Sequence, residues 1–208
     1  MAKTQYYTAT SIDGFIADPD NSLDWLFEVG GEGGSGEDGG GEQGGGEGGA
    51  DRFGPFFAQV GAFAMGATTY EWILGHEKLL DQPQKWTDEY GDVPAWIFTH
   101  RDLPPIPRAN LSFVRGDVRP VHEAMTTAAK GRNIWVVGGG DLVGAFADAG
   151  LLDELILGVA PVTLGGGAPL LPRRLGSSRL TLTDVSRSGQ FANLTYQVGP
   201  PERGERRR

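Results

Sequence analysis

A run of bulky apolar residues, Ile134-Trp135-Val136-Val137, stops at three consecutive glycines, Gly138-Gly139-Gly140, and a helical pattern opens at once with Asp141-Leu142-Val143. The run reads as a strand buried on both faces, inside a sheet rather than at its rim. The switch of period from strand to helix is the mark of a layered α/β unit. Glycines at such a junction let an anionic group approach the free N–H groups of a helix start. Taken alone, they fit a tight strand-to-helix turn equally well. Val143 stands where the Rossmann fingerprint needs its third glycine, and no Gly-Lys-Ser/Thr follows, so neither common nucleotide motif is present.

The rest of the chain repeats this alternation. Strands are expected at Lys3–Thr10, Ala62–Met65, Ala95–Thr99, Leu111–Val114, Asn133–Val137 and Glu154–Val159, and helices at Arg52–Val60, Thr68–Leu74, Val118–Ala129 and Leu142–Ala149. Leu180–Ser186 and Phe191–Val198 flank Arg187-Ser188-Gly189-Gln190, which reads as a terminal antiparallel hairpin. Thirteen of the 34 glycines fall in one acidic block from Gly30 to Gly49 without an apolar anchor. That block is expected to be a flexible loop at about 30–50 inside a single domain spanning 1–199, with 200–208 as a disordered basic tail. The loop reads equally as a lid over a site or as a tolerated insertion, because closure entropy grows only slowly with length.

Composition narrows the function classes. The 208 residues include no Cys, which excludes disulfides, thiolate metal sites and cysteine nucleophiles. The net charge of −9 disfavours nucleic acid and anionic membrane as partners. No apolar stretch approaches membrane-spanning length and the N-terminus has no signal core, so a cytoplasmic protein is expected. None of the three His has metal-ligand spacing with other candidates, so no metal is expected.

Four further segments could carry chemistry. Met65-Gly66-Ala67-Thr68-Thr69-Tyr70-Glu71 repeats the strand–glycine–helix junction, with Thr68 or Thr69 placed to cap the helix and Glu71 placed for a capping box. Capping alone would account for both threonines. Ser11-Ile12-Asp13-Gly14-Phe15-Ile16-Ala17 puts a carboxylate at a turn leaving the first strand, where an Asx-turn is the ordinary explanation. Thr99-His100-Arg101 follows a strand and suits a phosphate, although a lone Arg is usually solvated surface. The last segment is Pro161-Val-Thr-Leu164-Gly165. In an open α/β sheet such turns gather at the carboxyl ends of the strands, where extended ligands bind.

In this order, Ser-Ile-Asp-Gly-x-Ile-Ala, Met-Gly-x-x-Thr-Tyr-Glu, Val-Gly-Gly-Gly, Gly150-Leu-Leu-Asp-Glu-Leu155 and Pro161-x-x-Leu-Gly165, the chain resembles the dihydrofolate reductase superfamily over nearly its whole length. It is most similar to the riboflavin-biosynthesis reductase (RibD C-terminal domain-like) branch. The resemblance implies a three-layer α/β/α fold, a mostly parallel sheet with a C-terminal antiparallel hairpin, and a reductase passing hydride from NADPH to a small pterin- or pyrimidine-like heterocycle or a carbonyl compound. A protein of the same fold that binds nucleotide without turnover is the alternative. Ala9 and Ile16 would hold the nicotinamide, and Gly66, Thr68 and Thr69 would lie under the pyrophosphate. Thr99, His100 and Arg101 would form the 2′-phosphate loop, and Val137 to Val143, with Gly138, Gly139, Gly140, Asp141 and Leu142, the second phosphate turn. The family's cis peptide falls at Gly138-Gly139. Ala67 and Asp141 stand where relatives carry Arg, so NADPH preference would rest on Arg101. Asp13 and Asp24 would be the catalytic carboxylates, with Trp25, Tyr70, Leu164 and Gly165 on the substrate side. After Asp24-Trp25 the family's first helix is expected to give way to the glycine block. The hairpin residues Leu180, Leu182, Phe191, Leu194 and Tyr196 would support a homodimer.

Overall fold

β-Branched and aromatic residues supply the strands, and each helix begins where that pattern breaks. The computed structural model describes residues 2–29 and 50–201, and the expected glycine-rich loop and basic tail lie outside the described residues. In chain order the elements are β1 (Thr4–Thr10), β2 (Phe15–Ala17), α1 (Asp24–Val29), α2 (Ala50–Phe57), β3 (Val60–Gly66), α3 (Ala67–His76), α4 (Gln84–Tyr90) and β4 (Ala95–Phe98). They continue with β5 (Leu111–Val114), α5 (Val118–Ala129), β6 (Asn133–Gly138), α6 (Gly140–Asp148), β7 (Glu154–Val159), β8 (Ala168–Pro169), β9 (Leu180–Ser188) and β10 (Phe191–Val198).

Eight strands form one sheet in the order β5-β4-β3-β6-β1-β7-β10-β9. Every pair from β5 to β7 is parallel, and β10 is antiparallel to both β7 and β9. The architecture is the expected dihydrofolate reductase-like α/β fold with an antiparallel C-terminal hairpin. Gly189, with φ of 54°, supplies the positive φ that a two-residue hairpin turn demands. Short β2 and β8 pair on their own as a second, two-stranded sheet. Neither was anticipated, since two or three residues are too short to show a period. Helix α4 was also missed, and α1 is present as a short helix where the sequence suggested its loss.

Strand alternation divides the core into two layers. On one face Tyr6, Ala62, Ala64 and Val136 pack with Met125 of α5 and Phe146 of α6. On the other, Phe63, Met65, Trp135 and Val137 pack with Tyr70, Ile73 and Trp86 of α3 and α4, and Tyr7, Phe53, Phe56 and Phe57 close the layer. Trp135 is its hub: its ring lies 5.5 Å from Phe53, 5.8 Å from Phe56, 6.1 Å from Phe57 and 5.9 Å from Phe63. Its indole N–H donates to the Tyr7 carbonyl at 3.2 Å, so the ring is oriented as well as buried. Truncation there removes both the ring contacts and their packing volume. Trp135→Ala is expected to destabilise the fold by about 3–5 kcal/mol, read by equilibrium urea unfolding.

Candidate active site

Strands β3 and β6 end side by side, with Met65 in register with Gly138, and each feeds directly into a helix. The N-caps are Gly66 for α3 and Gly139 for α6, and neither helix start has a side-chain cap. Two sets of free first-turn N–H groups therefore open beside each other, each with the partial positive charge of a helix start. The Gly138-Gly139 peptide is cis, as expected from the resemblance. A Cβ placed on Gly139 would meet no protein atom within 4 Å, whereas one on Gly140 would collide with the Pro169 carbonyl. Glycine at 139 thus keeps clear a space that the protein does not fill.

That space belongs to a cleft of about 380 Å³ at the carboxyl edge of the sheet. The phosphate-turn residues Gly66, Thr68, Thr69, Val137, Gly138, Gly139, Gly140, Asp141 and Leu142 line it, as do Ala9, Ile16 and Trp25. Five aromatic side chains, Tyr7, Phe27, Phe53, Trp72 and Trp135, also border it and make up its aromatic wall. The strand pattern of β1 could have marked Tyr7, because it alternates with buried Tyr6; the others come together only through the fold. Burial raises the Tyr7 pKa, with the nearby Arg52 charge acting against it. Trp25 is only 6% exposed, and its indole N–H is buried without a hydrogen-bond partner. Phe27 of α1 stacks on His76 of α3 at 5.4 Å, and His76 stacks on Trp72 at 4.5 Å, tying the two helices together.

Other expected site residues lie elsewhere. Tyr70 faces the core, fully buried, with its hydroxyl donating to the Pro104 carbonyl at 2.7 Å and its pKa pushed up to about 12 by burial. Val143, one turn into α6, is also fully buried. Thr68 and Thr69 sit inside α3 rather than at its cap, and Glu71 makes no capping box. Instead Glu71 binds Arg101, Oε2 to Nη2 at 2.6 Å, on the outer side of the helix. Thr99, His100 and Arg101 do not border the cleft. They follow β4, one strand outward from β3, where the Thr99 hydroxyl accepts from the Arg101 amide at 2.9 Å and shapes the loop.

Neither expected catalytic carboxylate borders the cleft. Asp24 is exposed at the start of α1. Asp13 serves as a clamp: its carboxylate accepts from the Ser11 hydroxyl at 2.6 Å, the Gly165 amide at 2.7 Å and the Leu164 amide at 3.1 Å. Leu164 and Gly165 are thus its anchors rather than a substrate wall. Asp141 is neutralised by a cation that the sequence did not single out, with Arg173 Nη1 at 3.1 Å and Nε held by Asp148 at 2.9 Å.

With this geometry in view, the RibD C-terminal domain family model matches residues 2–192. The chain is 32% identical over 199 residues to the uncharacterised protein YwjB of Bacillus subtilis (strain 168), covering 93% of this chain and 97% of that one. A solved Shewanella sp. PV-4 protein, provisionally assigned to riboflavin biosynthesis, superposes with a TM-score of 0.66 at 25% identity, covering 96% of this chain and 99% of that one. Dihydrofolate reductase from Enterococcus faecalis, solved with NADP(H), gives 0.53 at 12% identity over 94% and 96% of the two chains, a likeness of fold.

The Asp13 clamp has a measurable signature. The Ser11 hydroxyl, with the Gly165 and Leu164 amides, holds its carboxyl below the ordinary value. A depressed folded pKa gives stability that is present above the unfolded value, about 3.9, and is lost as pH falls through the folded one. Asp13→Asn is expected to lower the thermal midpoint at neutral pH, with the gap to wild type closing in acid. A gap independent of pH would show that the charge has no part in the clamp.

Proposed function

The chain belongs to the RibD C-terminal domain family, and on that premise we propose that it is an NADPH-dependent reductase acting on a small heterocyclic or carbonyl compound. The observation that carries this reading is the pair of uncapped helix starts opening into one cleft, with Gly139 keeping space that no protein atom occupies. A pyrophosphate matches these donors in charge and geometry. When bound, the reduced nicotinamide supplies the hydride. Ala9 and Ile16 would border its ring, while the N–H groups after Gly66 and Gly139 would hold the phosphates. The aromatic wall orients the acceptor and excludes water. Reduction of a C=N or C=O acceptor would leave its heteroatom in need of a proton. Tyr7 borders the cleft and its phenol is protonated at neutral pH, so it is the group we assign to give it, although burial makes it a weaker acid than a free phenol. Binding without turnover is favoured by one observation, that neither Asp13 nor Asp24 borders the cleft.

Quenching of Trp fluorescence by NADPH, followed by NADPH oxidation with pterins, pyrimidines and quinoid carbonyls, tests both readings. Binding without oxidation by any compound supports the second; absence of binding removes both. Arg101 would meet the 2′-phosphate, a charge-assisted contact worth about 1.5–3 kcal/mol. Glu71 draws on the same guanidinium, so NADPH is expected to bind only about tenfold more tightly than NADH. Arg101→Ala should abolish that difference; equal wild-type affinities would overturn the assignment.

A homodimer through the hairpin is part of the same proposal. β9 is an edge strand, and its Leu182 and Val185 are 50% and 61% exposed. Light scattering is expected to give a dimer mass that Leu182→Lys reduces to a monomer without unfolding. A monomer across a dilution series of the wild type would refute it.

A further inference from the structure

Resting on the reductase reading for the identity of the anion, we infer that Arg173 governs how tightly the start of α6 holds phosphate. It is a positioning residue: it acts through Asp141, whose charge it offsets beside the cleft. The glycines of α6 put it there. A Cβ on Gly140 would collide with the Pro169 carbonyl, and one on Gly144 would come within 2.8–2.9 Å of Cγ, Nε and Cζ of Arg173. These two positions lie four residues apart, on one side of the helix, and let the chain after β8 run directly against it. Arg173 spans that side. Its Nη1 donates to Asp141 Oδ1 at 3.1 Å and to the Pro172 carbonyl at 2.8 Å, and its Nε donates to Asp148 Oδ2 at 2.9 Å. A guanidinium held at both ends of its fork keeps its charge beside Asp141 instead of sampling solvent.

Asp141 is the second residue of α6 and borders the cleft. A carboxylate in the first turn of a helix is drawn to the same N–H groups that a pyrophosphate would use, and it repels any second anion brought there. Asp141 by itself would therefore oppose the phosphate site formed by the two helix starts. Arg173 lies outside the cleft lining, so its effect on a bound anion is one of charge rather than contact. The same segment also carries Ala168 and Pro169, which border the cleft, and Arg173 could matter only by fastening them to α6. The two roles differ in one measurable respect. Packing contacts persist in salt, whereas the field of a partly exposed charge is screened.

Titration with NADP⁺, followed by Trp fluorescence at about 0.02 M and about 0.5 M salt, separates them. Arg173→Met is expected to bind about fivefold more weakly than wild type at low salt, with the gap closing to under about twofold at high salt. Arg173→Lys, which keeps the charge and loses the planar fork, should recover most of that affinity. Asp141→Asn, with Arg173 intact, should tighten binding by about threefold at low salt. Wild-type affinity in Arg173→Met, or a deficit of the same size at both salt concentrations, would overturn the inference. So would Arg173→Lys as weak as Arg173→Met. Should Arg173→Met fail to fold, Asp141→Asn decides, and an affinity no higher than wild type at low salt would overturn the inference. If the wild-type protein does not bind NADP⁺, the reductase reading falls instead, and inorganic pyrophosphate titrated calorimetrically against the same variants judges Arg173. No binding of pyrophosphate to the wild type would overturn both.

Discussion

Parallel strands place the starts of their following helices on one side of the sheet, and in this chain two such strands are neighbours that end level. Met65 pairs with Gly138, so the first turns of α3 and α6 stand next to each other and their peptide dipoles converge. A bound anion there would be met by backbone N–H groups and the Thr68 and Thr69 side chains, without a basic side chain in the cleft among the described residues. This accommodates a chain whose net charge is −9, because the attraction is local and does not depend on the field of the whole molecule.

The aromatic layer serves two purposes at once. Trp135 is buried at the centre of four phenylalanines and also borders the cleft. At Trp135 the cleft wall is therefore the outer surface of the hydrophobic core, as rigid as the packing behind it. Rings fixed in this way need not be ordered when a ligand arrives, which lowers the entropic cost of binding.

How much could be read from the sequence follows from the length scale of each feature. Strands with a clear period and the helix Val118–Ala129 were legible, and so were the two glycine turns, because each is a local pattern. The edge of the sheet where those turns meet followed from the parallel topology. The roles of Asp13, Tyr70 and Arg101 were not legible, since each depends on a distant partner: Leu164 and Gly165 for Asp13, Pro104 for Tyr70 and Glu71 for Arg101. Arg173 escaped notice for the same reason, lying 32 residues from the Asp141 that it neutralises. A sequence shows which residues are chemically capable; only the fold shows which are already engaged.

The three adjacent glycines, finally, are not one motif in the physical sense. Gly140 is crowded by the chain around Pro169, Leu170 and Pro172, so any side chain there must displace the protein's own backbone. Gly139 has empty space at the same point, and no neighbouring part of the protein would meet a side chain there. In a lineage that abandoned its ligand, position 139 would be free to drift to larger residues, while position 140 would stay fixed for as long as the fold survived. Two neighbouring letters in the sequence thus keep separate histories, one of the molecule's architecture and one of its use.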